Sequence, residues 1–116
     1  MTAQELQFEL MKIASFNEFD GNQVVKNLQA HPELWKGAVM DGTNVKLRDI
    51  SDNYWNVDTL LITSKPGKED ELEALAKTWG ADEVDWMSAT ESAQELGSWN
   101  PETRTNQKQI LRIWWD

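Results

Sequence analysis

The hydrophobic period changes partway along this chain, and that change most constrains what the chain can fold into. Up to about residue 36 the apolar residues recur at helical spacing. Beyond Ala38 they gather into the short runs and alternations of strands. A chain carrying both periods must lay helix faces against a sheet, which makes it α/β or α+β. With 116 residues it is long enough to bury one core, and no linker, repeat or low-complexity tract divides it. Residues 1–116 therefore read as a single globular domain.

The ends of the elements are legible. Thr2-Ala3-Gln4-Glu5 is a capping box for a first helix to about Ala14, with Leu6, Leu10, Ile13 and Ala14 as its buried stripe and Met11 beside them. Asp20 or Asn22 caps a second helix that buries Val24, Val25 and Leu28. It stops near His31, because Pro32 disfavours helical geometry before it. One extra turn over Pro32 to Lys36 would pack Trp35 inward. Ala38–Met40, Asp41-Gly42 and Val45–Arg48 read as a β-hairpin around a tight turn. Tyr54 to Thr63 is a longer strand, and its Leu60-Leu61-Ile62 run suits a strand buried on both faces.

After Ser64-Lys65-Pro66-Gly67, the residues Leu72, Leu75, Ala76 and Trp79 define the clearest helix, ended by Gly80 in a left-handed cap. Glu83 to Met87 alternates as a half-buried strand. Ser88-Ala89-Thr90-Glu91 caps a short helix ending at Gly97, and residues 98–107 form a polar loop around Trp99 and Pro101. Gln109 to Trp115 is the last strand. The expected order is ααβββαβαβ, a two-layer sandwich on a mixed sheet of about five strands.

Charge is distributed unevenly. The formal net charge is −9, and residues 51–100 hold 11 of the 20 acids but only 3 of the 11 bases. A field of this sign repels nucleic-acid backbones and anionic membranes, so neither is an expected partner. No apolar run is long enough to span a bilayer. The N-terminus carries no basic patch followed by an apolar stretch, so no secretory leader is expected. Together with the absence of cysteine, this makes a reducing cytoplasm the expected compartment.

Catalytic chemistry finds little to work with. Zero cysteines exclude disulfides and thiolate chemistry within these residues, and a lone His31 beside a proline offers neither a bis-histidine metal site nor a serine-activating base. The six glycines stand apart, without a phosphate-cradling loop. Asp82, Glu83 and Asp85 lack the ligand spacing of a calcium loop. No enzyme activity, cofactor or metal is expected. One anion-binding candidate remains, Ser64, Lys65 and Lys68 between a strand and a helix start.

Seven tryptophans are far more than a chain this size ordinarily carries. Trp79, Trp86 and one of Trp114 and Trp115 fall at core positions. Neighbours on a strand point to opposite faces, so the Trp114/Trp115 pair must split, one in and one partly out. Trp55 and Trp99 lie near turns and are the other exposure candidates. Two functions fit these features. The first is a non-enzymatic acidic interaction protein of the immunity, antitoxin or inhibitor type. It would dock a basic partner protein through an acidic face over residues 69–95, made by Glu69, Glu71, Glu73, Glu83 and Asp85 with Trp86 and Trp99 as anchors. The alternative is a small-molecule-binding or sensory domain whose pocket lies between residues 64–68 and 98–107, using Ser64, Lys65, Lys68 and Trp99. Pairing of two chains through an edge position of the apolar last strand is compatible with either.

Overall fold

The computed structural model describes residues 1–16, 19–42, 45–97 and 108–116. Helix α1 (Ala3–Ile13) starts in the expected capping box: the Thr2 hydroxyl accepts from the Glu5 amide, and the Glu5 carboxylate accepts from the Thr2 amide. Its buried side differs from the expected stripe. Phe8 and Met11 enter the core, while Leu6 is 55% exposed and Leu10 and Ile13 are half-buried at the flank. The inward stripe is Gln4, Gln7, Phe8 and Met11, an i, i+3, i+4, i+7 set whose first two members are polar because they bond to a strand edge.

A two-residue ribbon, β1 (Ser15–Phe16) with β2 (Phe19–Asp20), leads into α2 (Gly21–Ala30). The Asp20 carboxylate caps α2 at the Gln23 amide, and Val24, Val25 and Leu28 are buried as the periodicity requires. Gly21 is obligatory where α2 crosses α1, since a Cβ there would collide with the Met11 carbonyl. Trp35 does not extend a helix after Pro32 but begins strand β3 (Trp35–Met40), with its indole N–H donating to the Leu28 carbonyl at 2.8 Å.

The hairpin expected at Asp41-Gly42 does not form. β3 pairs instead with β4 (Thr59–Ser64), setting Ala38 on Ile62 and Met40 on Leu60. The stretch 45–48 offers apolar residues on one face only, whereas Leu60-Leu61-Ile62 is apolar on both and buries more surface in the pairing. Residues 47–50 form the short helix α3 (Leu47–Ile50), with Leu47 84% exposed. Helix α4 (Glu69–Ala76) runs into a tighter turn at Lys77–Trp79 and ends at Gly80, whose φ of 73° is the expected left-handed cap. Strand β5 (Glu83–Trp86), helix α5 (Ala89–Glu95) with its Ser88 capping box, and strand β6 (Ile110–Trp114) complete the chain.

The α+β two-layer class expected from the sequence holds. Among the described residues the sheet has four strands rather than the expected five or so, in the order β3-β4-β6-β5, and each of these pairings is antiparallel rather than mixed. β4 and β5, joined by α4, run in the same direction but are separated by β6. β6 is therefore interior, and sheet extension to a second chain at that strand has no free edge to use. One face of the sheet presents Ala38, Met40, Leu60, Ile62, Leu111 and Ile113 to Phe8, Met11, Val24, Val25, Leu28, Leu72 and Ala76 of α1, α2 and α4. The end of α5 lies against the other face. Among the described residues no helix is long and apolar enough to cross a membrane.

Candidate functional site

Alternation along β5 and β6 sends their chemistry to two sides. Val84, Trp86, Leu111 and Ile113 point to the helical layer, while Glu83, Asp85, Arg112 and Trp114 point away from it. On that second face Glu83 sits opposite Trp114 and Asp85 opposite Arg112. The Arg112 guanidinium lies 3.7 Å from Glu83 and 3.6 Å from Asp85, and these carboxylates remain 59% and 61% exposed. Exposed pairs of this kind contribute at most about 1 kcal/mol each, so they leave the carboxylates open to a partner. Trp114 is half-buried, and its indole N–H donates to Asp58 at 3.3 Å while the same carboxylate accepts from Thr59 at 2.8 Å. Glu91, at the start of α5, feels the Arg112 charge as well. Its carboxyl is held below the ordinary range chiefly by the Ser88 amide and hydroxyl, with Arg112 a smaller cause.

The acidic set expected over 69–95 is thus not one surface. Glu83 and Asp85 belong to the second face, whereas Glu69, Glu71 and Glu73 ride on α4 over the helical layer. The α4 carboxylates are also more engaged. Glu69 accepts from the Gly67 and Lys68 amides at 2.7 and 3.2 Å, and Glu71 lies 3.5 Å from the Lys68 ammonium. Glu73 accepts from Lys77 at 3.0 Å and from the Trp86 indole at 2.6 Å. Trp86 is therefore tied to α4 on its own side of the sheet.

The anion-binding candidate is partly engaged from within. The Glu69 carboxylate accepts from the Gly67 and Lys68 amides just before α4, and the Ser64 hydroxyl donates to the Lys108 carbonyl at 3.0 Å, stapling β4 to the approach to β6. Lys65 is half-buried, and its amide bonds to the Leu34 carbonyl. Trp99 and the 98–107 wall of the alternative pocket lie outside the described residues. A shallow apolar groove of about 220 Å³ does occur elsewhere on the second face, between Val39, Leu61, Thr63 and Ile110 of the sheet and Glu95 and Leu96 at the end of α5.

Trp55, expected near the surface, is only 2% exposed: its amide bonds to Ile13, drawing the residue beneath the end of α1. Trp114 and Trp115 split as alternation requires, Trp115 having no exposed surface. Trp114, Asp58, Arg112 and Glu91 are members of the second-face cluster that the sequence pattern does not single out. The available signal for Trp114 is that same alternation, since the tryptophan left outside must sit beside Glu83 and Asp85 once β5 pairs with β6. Among the described residues no cluster of three or more His, Asp or Glu could hold a metal ion. No protein-family model matches the chain, and neither does any curated protein or solved structure.

Proposed function

We propose that this chain is a non-enzymatic, acidic interaction protein that docks a basic partner protein, and that its contact surface is the second face of the sheet at β5–β6. The observation that supports the reading most directly is the juxtaposition of exposed Glu83 and Asp85 with half-buried Trp114. An amphipathic aromatic beside exposed carboxylates suits the anchoring of a partner and the steering of a basic one towards it. Asp58 fixes the indole in place, which lowers the ordering cost of binding. A cysteine-free chain of this kind suits a reducing cytoplasm.

The test is capture of binding proteins from a source-cell lysate by the tagged chain at low and at high salt, repeated with two charge reversals. A stoichiometric basic protein released by salt supports the reading. Glu83→Lys with Asp85→Lys should abolish its capture, whereas Glu69→Lys with Glu71→Lys and Glu73→Lys should weaken it only modestly. The opposite ranking would move the contact to α4. If nothing basic is retained, and small molecules raise the melting temperature with little salt dependence, the small-molecule-binding reading replaces this one.

A further inference from the structure

We infer that Gln4 and Gln7 act as a surrogate strand that closes the β3 edge of the sheet and keeps the chain from pairing edge to edge with a second copy of itself. Among the described residues the order β3-β4-β6-β5 leaves β3 and β5 as the outer strands. An outer strand presents amide and carbonyl groups to any passing strand, and natural sheets guard against this. β5 is guarded by its own residues, being four long with exposed Glu83 and Asp85. Shortness and like charge both oppose pairing there.

β3 lacks that protection over most of its length. It has six residues, its Gly37-Ala38-Val39 centre is uncharged, and Val39 is 47% exposed. Lys36, at the irregularity between Trp35 and Gly37, supplies charge at one end only. The remainder is covered by side chains of α1. Gln4 Nε2 donates to the Ala38 carbonyl at 2.7 Å, and Gln4 Oε1 accepts from the Ala38 amide at 2.8 Å. Gln7 Oε1 accepts from the Met40 amide at 3.1 Å.

This is the bonding a neighbouring peptide group would supply. A primary carboxamide carries a donor and an acceptor side by side, so Gln4 reproduces both bonds of a strand-to-strand pair at Ala38. Residues three apart on a helix rise about 4.5 Å, and alternate residues on a strand about 6.8 Å. Long, flexible side chains bridge that mismatch, which suits glutamine better than asparagine. Phe8 and Met11 already fix α1 on the sheet through the core, so the two glutamines are not needed to seat the helix. What they add is occupancy of the edge.

The test combines amide hydrogen exchange with solution mass measured over a range of concentrations, on the wild-type chain, Gln4→Ala, and Gln4→Ala with Gln7→Ala. The wild type should be monomeric, and its Ala38 amide should exchange about tenfold more slowly than in Gln4→Ala, as expected for one lost hydrogen bond. The double variant should gain mass with concentration, and adding Val39→Lys to it should restore the monomer. A folded double variant that stays monomeric throughout overturns the inference. So does a wild-type Ala38 amide that exchanges at the rate of an unprotected one, a result that decides even if the double variant fails to fold.

Discussion

Trp114 and Trp115 are neighbours in sequence on opposite sides of one strand end, and alanine substitution should separate them sharply. Trp115 has no exposed surface, meets Phe19 edge to face at 4.5 Å, and donates its indole N–H to the Trp79 carbonyl at 3.2 Å. Truncating a tryptophan so placed costs about 3–5 kcal/mol, from lost burial and the cavity left behind. A domain's whole stability is about 5–15 kcal/mol, so Trp115→Ala removes a fifth of it or more. Trp114 keeps part of its ring in water and its bond to Asp58 lies at the surface, so Trp114→Ala costs about 1–2 kcal/mol. Urea unfolding followed by circular dichroism reads both without relying on the fluorescence being altered. With a slope of about 1.5 kcal/mol/M, the midpoint falls by about 2–3 M for Trp115→Ala and about 1 M for Trp114→Ala. Equal shifts, or the reverse order, would refute the assignment of the two faces of β6.

Two further perturbations probe other joints of the fold. Gly21→Ala drives a methyl group onto the Met11 carbonyl at the α1–α2 crossing, so a loss of about 3 kcal/mol and a fall in Tm of about 10–15 °C are expected; a fall below about 3 °C would show that the crossing can relax. The Glu73 carboxyl is held below its ordinary value of 4.5 first by the Lys77 ammonium and then by the Trp86 indole N–H. A group whose pKa is lowered by folding stabilises the native state above that ordinary value, and the contribution disappears as pH falls through the lowered pKa. Stability should therefore decline on acidification below about pH 4.5, and Trp86→Phe should move the Glu73 titration, followed by NMR, upward towards the ordinary value. An unmoved midpoint would remove Trp86 as a cause.

Features that depend on residues near in sequence are readable from the chain alone. The Thr2 and Ser88 capping boxes, the Asp20 cap, the α4 stripe and the Gly80 stop each rest on neighbours within a turn or two. The features that escape such reading depend on distant partners. The phase of α1 is obscured because Gln4 and Gln7 look like solvent-facing residues until a strand edge arrives to bond them. β3 pairs with β4 rather than the nearer stretch 45–48 because burial across the pair, not turn chemistry, decides the match. The candidate site is legible in part: Glu83 and Asp85 are together and exposed. Their separation from Glu69, Glu71 and Glu73 follows from β5 pairing with β6, a contact no local pattern encodes.

The interior place of β6 also dictates how the chain can assemble. β4 and β5 flank a strand that follows them in sequence, so neither ladder at the centre of the sheet can form until residues 110–114 arrive. Before then, Leu60 and Ile62 on one side and Val84 on the other have no strand between them, while contacts that do not involve β6, such as those of α1 with α2 and β3 and of β3 with β4, can already be made. Such long-range closure slows folding and makes it cooperative. The reverse path is equally abrupt: withdrawal of this single strand opens both ladders at once and parts the sheet down its middle.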